Sequence, residues 1–414
     1  MREMKDSRIV WIGAIPKRWQ LSKIGSLYTQ RNEKVSDKDY QPLSVTMQGI
    51  LPQLATAAKT DDGDNRKLVR VGDFAINSRS DRRGSCGISP LDGSVSLINI
   101  ILTPRTAMHP GYYNWLFHTT LFADEFYKWG HGIVADLWTT RWQEMKSITV
   151  PVPEYAEQER IAAFLDAECA EIDAVLEKTR ASIEEYKKLK QAVITQAVTK
   201  GIRGDRPMKD SGIEWIGEIP AEWDVVPFSK FARVSANLVN PSDYQDYLQV
   251  SPENIEKDSG KLLPCKTVSE VGVESWNHLF HKGQILYSKI RPKLNKVCIA
   301  PFDGLCSADM YPIDTDNVSK FVVYTVLSND FYQQVAMITE NRVKMPKINQ
   351  KELSKLIVVL PVDRMEQQEI VDYLDDKCGR IDALIVKKQQ YLTEIENYKK
   401  SLIYEYVTGK KEVV

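Results

Sequence analysis

The sequence predicts an α+β protein in which two mixed α/β modules alternate with two long helices that pair as an antiparallel coiled coil. The first observation is a repeat, because residues 157–199 match residues 366–408 without a gap, with 15 identities in 43 positions. The second is a shorter repeat at the start of each half, where residues 5–19 match residues 209–223 with 10 identities in 15. Two copies in the same order predict a pseudo-twofold internal repeat.

The order of these segments divides the chain into four parts. The first module covers residues 1–153, and the first long helix covers residues 154–204. The second module covers residues 205–362, and the second long helix with a short tail covers residues 363–414. An apolar run punctuated by proline, at residues 148–152 and 356–362, ends each module just before its helix.

The opening repeat has the pattern W-I-G-x-I-P-x-x-W in both copies. Glycine and proline favour a turn, and tryptophan provides a large apolar surface. We expect Trp11 and Trp19, and likewise Trp215 and Trp223, to be the anchors of a docking segment that packs the start of each half onto its neighbour.

The interior of each module combines strand and helix patterns. Residues 72–78 resemble residues 283–289, each a glycine turn followed by a short strand and a polar loop. Further strands are predicted at residues 95–102 and 296–300. One amphipathic helix is predicted at residues 112–129 and another at residues 320–338, with Phe122 matching Phe331.

The long repeat has the periodicity of a helix with one apolar stripe. No glycine or proline interrupts residues 154–200, and a helix of 43 residues would be about 65 Å long. Such a stripe needs a partner, and the other copy is the simplest one. Val175 and Leu384 fall on the expected stripe, and the pairing positions are Ile161, Leu165, Ile172, Ile183 and Val193 in one helix and Ile370, Leu374, Ile381, Leu392 and Leu402 in the other. Simple coiled-coil oligomerisation is the alternative interpretation of these helices.

Composition excludes several classes of protein. The formal charge is −1, from 55 Lys and Arg against 56 Asp and Glu, so nucleic acid binding must depend on local patches or on a partner. The longest apolar runs fall far short of 18 residues, and the N-terminus has no signal-like core, so we expect no membrane span and a cytoplasmic protein. The six cysteines form no C-x2-C pair, and His278 and His281 lack a second ligand pair, so we expect no metal site.

Basic residues cluster in loops at equivalent points of the two modules. Side chains of this kind, held on two separate modules, could contact two separated stretches of a DNA duplex. The alternative for each residue is an ordinary charged loop in solvent. The candidates for DNA contact are Asn77, Ser78, Arg79, Arg82, Arg83 and Arg141 in the first module, and Ser288, Lys289, Arg291, Lys293, Lys296, Arg342, Lys344 and Lys347 in the second.

No catalytic motif is apparent. There is no phosphate-binding glycine loop and no G-x-S-x-G turn, and residues 240–244 (N-P-S-D-Y) do not match the N-P-P-Y pattern of amino-methyltransferases. We therefore assign no catalytic residues. A stand-alone or fused DNA-modifying enzyme, either a nuclease or a methyltransferase, remains the alternative to a targeting protein.

Taken together, these motifs resemble the specificity subunit of type I restriction–modification systems. The resemblance covers essentially the whole chain and comprises the paired W-I-G-x-I-P-x-x-W segments, the run S-K-I-R-P at residues 288–292, and the proline followed by Glu-Gln at the start of each long helix. It implies that each module is a target recognition domain for one half of a bipartite sequence in double-stranded DNA, and that the helices set the spacer. It also implies docking of two methyltransferase subunits and of restriction subunits, with S-adenosylmethionine, ATP and Mg2+ bound by those partners. The S-K-I-R-P pattern is absent from the first module, and the divergence of the two modules indicates an asymmetric target.

Overall fold

The computed structural model describes residues 2–53, 62–132, 138–342 and 344–413. The chain forms two compact units: unit 1 contains Met1–Thr179 and Gln390–Val414, and unit 2 contains Arg180–Gln389. Both boundaries fall inside a long helix, so each unit contains part of each of the two. No helix in the described part of the chain is long and apolar enough to cross a membrane.

The two long helices are confirmed, and the other helices are short. A glycine in the left-handed region, Gly201 (φ +76°) or Gly409 (φ +73°), follows the end of each long helix, as is common where a helix stops. The helices are α1 (Ile24–Leu27), α2 (Pro110–Phe117), α3 (Thr120–Lys128), α4 (Trp142–Met145), α5 (Tyr155–Lys200), α6 (Phe228–Phe231), α7 (Val268–Val271), α8 (Ser319–Leu327), α9 (Asn329–Thr339), α10 (Gln350–Leu353) and α11 (Arg364–Val407).

Unit 1 is built on an antiparallel four-stranded sheet in the order β10-β9-β12-β4. A three-stranded sheet (β11-β8-β5) and the pairs β1-β2, β3-β13 and β6-β7 complete it. Its core is rich in aromatic rings, such as Phe74 and Phe117 at 4.4 Å between centroids. The strands are β1 (Met4–Asp6), β2 (Ala14–Pro16), β3 (Gln20–Lys23), β4 (Tyr28–Arg31), β5 (Lys34–Val35), β6 (Leu43–Thr46), β7 (Gly49–Pro52), β8 (Arg66–Val69), β9 (Phe74–Asn77), β10 (Cys86–Ile88), β11 (Gly93–Val95), β12 (Asn99–Pro104) and β13 (Thr149–Val152).

Unit 2 also has a four-stranded sheet, in the order β17-β25-β22-β23, and a five-stranded sheet, β18-β21-β24-β19-β20. In the second sheet β19 and β24 run parallel, and the other neighbours run antiparallel. The strands are β14 (Met208–Asp210), β15 (Glu218–Pro220), β16 (Asp224–Pro227), β17 (Arg233–Val234), β18 (Leu238–Val239), β19 (Leu248–Val250), β20 (Lys266–Thr267), β21 (Asn277–Phe280), β22 (Ile285–Ser288), β23 (Val297–Ile299), β24 (Gly304–Cys306), β25 (Met310–Asp314) and β26 (Ile357–Leu360).

The predicted single helices at residues 112–129 and 320–338 are wrong in one respect, because each is two helices. The break in unit 1 lies at Thr119, whose side chain accepts a hydrogen bond from the backbone of Phe122 and caps α3. In unit 2 Ser328 caps α9 in the same way, accepting from Phe331. A hydroxyl side chain that satisfies a free N–H favours a new helix start over continuation.

The opening repeat and the long repeat form the same buried contact in each unit. In unit 1 the indole Nε1 of Trp19 donates to Glu157 at 2.8 Å, and Arg2 pairs with the same carboxylate. In unit 2 Trp223 donates to Glu366 at 3.0 Å, and Arg206 pairs with it. The last tryptophan of each opening repeat is therefore tied to the first turn of the long helix that follows.

The first tryptophan of each opening repeat behaves differently in the two units. Trp11 is 5% exposed and packs against Phe122 at 5.9 Å between ring centroids. Trp215, at the matching position, is 55% exposed. The expectation that both tryptophans of the second copy act as anchors is therefore wrong for Trp215.

The long helices run antiparallel within each unit. In unit 1 the ring of Phe164 packs against that of Tyr406 and Asp173 pairs with Lys399, so the residue numbers rise along α5 as they fall along α11. In unit 2 Lys190 of α5 pairs with Asp382 of α11. Of the ten predicted pairing positions, the fully buried ones are Ile161, Leu165, Ile183, Ile370, Leu374, Ile381 and Leu402, and the partly buried ones are Ile172, Val193 and Leu392.

At one matched position of the two long helices, the predicted apolar stripe lies one residue away from the buried face. Val175 and Leu384 are 40% and 42% exposed, whereas their neighbours Leu176 and Ile385 are 4% and 9% exposed. A straight helix has 3.6 residues per turn, so a stripe extrapolated in steps of three and four drifts from the buried face over several turns.

Candidate nucleic-acid interface

The candidate interface of unit 2 begins where β22, the most buried strand of its sheet, ends. All four residues of β22 are buried. The chain then leaves the sheet through Lys289 and Arg291, and Arg291 has the left-handed backbone conformation (φ +44°). A short 3-10 turn at Pro292–Leu294 leads back into β23. A left-handed arginine before a proline forces a sharp turn, which directs this basic segment away from the sheet.

A second basic segment, far away in sequence, lies directly against this loop. The backbone N–H of Arg291 donates to the carbonyl of Pro346 at 2.8 Å, and that of Ile348 donates to Lys289 at 2.9 Å. Ile290 and Lys347 form a β-bridge between them. Residues 288–296 together with residues 342 and 344–348 therefore form one surface, which we call the basic loop pair of unit 2.

Several of its cations already have partners inside unit 2. Lys347 pairs with Asp309 at 2.9 Å. The other contacts join Arg342 to Glu352 (2.5 Å), Lys296 to the carbonyl of Pro252 (2.6 Å), and Lys289 to the face of the Tyr311 ring (5.1 Å). The hydrogen bond from Arg342 lowers the pKa of the Glu352 carboxyl below its ordinary value of 4.5. These contacts fix the two segments relative to each other.

Three further cations of the loop pair are exposed. Arg291, Lys293 and Lys344 have exposed side chains, and none of the three forms an ion pair within the part of the chain that the structure describes. Arg291 also lines an open pocket of about 310 Å3, together with Ser251, Glu253 and others. These three side chains are thus available to an anionic partner.

Unit 1 has the same backbone arrangement at the matching place. The N–H of Thr140 donates to the carbonyl of Ser78, and that of Ser80 donates to Trp138, both at 3.0 Å. Arg79 and Thr139 form a β-bridge, as Ile290 and Lys347 do in unit 2. We call residues 77–83 with residues 138–141 the basic loop pair of unit 1.

The charged side chains of unit 1 are engaged differently. Arg83 pairs with Asp124 and lies 6.0 Å from the ring centroid of Tyr127. Arg82 is mostly exposed, 3.7 Å from its neighbour Asp81. Arg141 is exposed at the start of α4, where its N–H donates to Glu144 at 3.0 Å.

Three predicted contact residues, Asn77, Ser78 and Ser288, are buried at 6%, 5% and 2% exposure. Asn77 accepts from the N–H of Arg79 at 3.0 Å. Ser78 donates to the carbonyl of Ile98 at 2.5 Å, and Ser288 donates to Ile290 at 3.1 Å. Their side chains are buried and form hydrogen bonds with backbone groups of the protein. In this conformation they do not face a ligand directly.

The acidic residues that hold the basic loops were not predicted from the sequence. Asp124, Asp309 and Glu352 each bind one of the predicted cations. Only Glu352 has a sequence signal, because Asn349-x-x-Glu352 is a capping box at the start of α10. Within the described ranges, no group of three or more His, Cys, Asp or Glu side chains is placed to hold a metal ion.

Comparisons with known proteins point to one family. Residues 224–396 match the family model for the type I restriction modification DNA specificity domain. The chain is 34% identical over 286 residues to the type I restriction enzyme EcoDI specificity subunit of Escherichia coli, an alignment that covers 64% of this chain and 63% of that protein. The match thus spans less than two thirds of the relative's length.

Two solved structures share the fold. A chain from a structure of the assembly and conformational transition of the type I R-M system superposes with a TM-score of 0.74 at 14% identity, covering 96% of this chain and 99% of the other. The HsdS subunit from Thermoanaerobacter tengcongensis superposes with a TM-score of 0.51 at 15% identity, covering 96% and 98%. At these identities the likeness concerns the fold alone.

Proposed function

We propose that this chain is a member of the type I restriction–modification DNA specificity family and that it recognises a bipartite sequence in double-stranded DNA, one half-site for each unit. The basic loop pairs of units 1 and 2 are the proposed contact surfaces. Exposed arginine and lysine side chains on a fixed backbone can bind phosphates and base edges. The exposed side chains of Arg291, Lys293 and Lys344 are the leading candidates in unit 2, and those of Arg82 and Arg141 in unit 1.

One observation carries the proposal. The same pairing of a loop with a distant segment occurs in both units, yet the side chains on it differ, with Arg79, Arg82 and Arg83 in one and Lys289, Arg291 and Lys293 in the other. The backbone arrangement is the same in both units while the side chains on it differ, which supports two recognition surfaces with different sequence specificity. We therefore propose that the target is asymmetric.

The long helices are proposed to form one antiparallel coiled coil, related by the pseudo-twofold repeat, that sets the spacer between the half-sites. We propose that two methyltransferase subunits and restriction subunits dock on the chain and that DNA methylation and cleavage, with S-adenosylmethionine, ATP and Mg2+, belong to these partners. The net charge of −1 supports this division of roles, because a chain without excess positive charge needs partners for most phosphate contacts. The proposed site of action is cytoplasmic DNA.

The test is methylation mapping of genomic DNA from cells with and without this gene. We expect one split, asymmetric, adenine-methylated motif to disappear when the gene is removed. If the methylome is unchanged while a methyltransferase subunit co-purifies with the chain, the proposed recognition role is wrong. If the purified chain alone methylates or cuts DNA with S-adenosylmethionine or Mg2+, it is instead a stand-alone enzyme.

A further inference from the structure

The five-stranded sheet of unit 2 has two different faces. Val250, Phe280 and Cys306 belong to a buried hydrophobic cluster on one face. Side chains alternate along a strand, so Gln249 points to the other face, together with its cross-strand neighbours Leu305 and Lys266. That second face is the floor of a pocket of about 680 Å3.

Two buried amides lie in this pocket. Gln249 is 5% exposed and Asn277 is 2% exposed. Nε2 of Gln249 donates to Oδ1 of Asn277 at 3.1 Å, and Nδ2 of Asn277 donates to the carbonyl of Ser275 at 2.7 Å. Glutamine and asparagine are uncommon at this degree of burial unless their polar atoms are bonded.

Gln249, Asn277 and the carbonyl of Ser275 form a series of hydrogen bonds, which we call the amide chain. The orientation of both amides follows from its last hydrogen bond, the one between Asn277 and Ser275. The carbonyl of Ser275 can only accept, so the atom of Asn277 that faces it must be the NH2 group. Its Oδ1 then faces Gln249, and Gln249 must present its own NH2 group to it. The free end of the amide chain is therefore Oε1 of Gln249, which is an acceptor.

Oε1 of Gln249 is buried without a hydrogen-bond partner among the residues that the structure describes. A buried carbonyl oxygen without a donor is unfavourable, so this site favours a ligand that brings an N–H group. Glu253 and Glu274 also line the pocket and add further acceptors. The pocket therefore favours an amino group and disfavours a second carbonyl.

The pocket adjoins the basic loop pair of unit 2. Ser251 and Glu253 line both this pocket and the smaller one formed by Ser288, Arg291 and Lys296. A duplex held by Arg291 would thus bring base edges near the amide chain. In the major groove, adenine N6 and cytosine N4 are the amino groups that a base presents.

We infer that Gln249, positioned by Asn277, reads the exocyclic amino group of one adenine or cytosine in the half-site of unit 2. This inference rests on the proposed function, because it needs DNA bound at the basic loop pair. It assigns a specificity-determining residue that lies on a strand outside both basic segments. The amide chain fixes the acceptor in advance, so no side-chain freedom is lost when the base is bound.

The test is a double-mutant cycle on the full chain in its methyltransferase complex. Single adenines of the mapped target are replaced by purine, and single cytosines by 2-pyrimidinone, so that only the amino group is lost. Binding of each duplex is measured for the wild type and for Gln249→Met, which has a similar size and no acceptor. The weaker base pair is common to both proteins and cancels in the cycle.

We expect one position, in one half-site only, at which loss of the amino group weakens binding about tenfold for the wild type and not for Gln249→Met. Gln249→Leu also removes the amide and has a similar size, so it covers the case in which Gln249→Met does not fold. Sensitivity of Gln249→Leu equal to that of the wild type at that position would overturn the inference.

Equal losses for wild type and Gln249→Met at every position would likewise overturn it and would mean that the pocket holds only water. In that case sequence-specific binding by the wild type would leave the proposed function intact. Absence of any sequence-specific binding by the wild-type complex would instead refute the proposed function, and the inference with it.

Discussion

Lys190 on α5 forms a salt bridge to Asp382 on α11 in unit 2, with Nζ 2.8 and 2.9 Å from the two carboxylate oxygens. A shift of 209 residues converts this pair into Lys399 and Asp173, which form the same bond at 2.6 Å in unit 1. The lysine of each helix thus meets the aspartate of the other. One such ion pair lies in each unit and fixes the register of the two helices there, since a slip by one turn would separate the lysine from the aspartate.

We predict that Asp382→Asn lowers the free energy of unfolding by about 1–2 kcal/mol, because Lys190 is only 14% exposed and would lose a charge-assisted hydrogen bond. The measurement is a urea titration followed by tryptophan fluorescence. The control is Asp376→Asn in the exposed pair with Arg380, where we expect a change below about 0.5 kcal/mol. Equal effects of the two variants would contradict a special role for Lys190 and Asp382.

The contacts of Glu366 with Trp223 and Arg206 should contribute more to the free energy of unfolding than the salt bridge between Lys190 and Asp382. Glu366→Ala removes the partner of Arg206, which is 9% exposed, and of the Trp223 indole, so we expect a loss of about 3 kcal/mol. Glu369→Ala, in the exposed pair with Arg203, is the matched control and should cost less than about 1 kcal/mol. Thermal unfolding of both variants tests this. Arg206 also pairs with the exposed carboxylate of Glu222, so a small effect of Glu366→Ala would mean that Glu222 alone satisfies Arg206.

The second basic segment of unit 2 should loosen in acid. Arg342 lowers the pKa of Glu352 below 4.5, so the carboxylate binds fewer protons when folded than when unfolded. Its contribution to stability is therefore complete above about pH 4.5 and is lost as the pH falls through the lowered pKa. We expect wild type and Glu352→Gln to differ in urea midpoint at pH 7 and to converge below that pKa. A difference that persists at the lowest pH would exclude this ion pair as its cause.

DNA binding should depend on Arg291. If its guanidinium contacts a phosphate, Arg291→Ala should weaken binding to the half-site of unit 2 and reduce the slope of log K against log salt by about 1. A base contact would instead relax the specificity at one position by about 1–3 kcal/mol. Lys230→Ala, an exposed lysine on α6, is the control and should change neither quantity. If Arg291→Ala also changes neither, the loop pair of unit 2 is not the DNA surface.

The helices should determine the spacer of the target. Inserting seven residues, two helical turns, within residues 181–190 and at the matched residues 390–399 should lengthen the spacer of the methylated motif and leave both half-sites unchanged. An insertion in one helix alone is the control, because it breaks the register set by Lys190 and Asp382 and should reduce methylation without giving a new defined spacer. If the double insertion keeps the original spacing, helix length is not the determinant.

The sequence alone predicted the elements that depend on local periodicity and on repetition. The two long helices follow from an uninterrupted apolar stripe, and the equivalence of their first turns follows from the paired Glu-Gln positions, where Glu157 and Glu366 bind the indoles of Trp19 and Trp223. Prediction of the helices from the sequence failed where a local hydrogen bond competed with the helical periodicity. Thr119 and Ser328 each end one helix and begin another. The buried face of α5 includes Leu176 and not the predicted Val175, because the small difference between 3.6 residues per turn and steps of three and four adds up over several turns.

Only the tertiary structure shows which basic side chains lack an ion pair among the described residues and which polar side chains are buried. Ile290 and Lys347 are 57 positions apart, and the β-bridge between them joins two loops that no rule of sequence spacing predicts to meet. The partners Asp309 and Glu352 come from other elements, and so do Gln249 and Asn277, which meet across a sheet whose strand order is not the chain order. The sequence by itself determined the repeated frame, because periodicity and repetition are local properties of the chain. The tertiary structure decided the recognition surface, because hydrogen bonds between distant segments determine which side chains remain available.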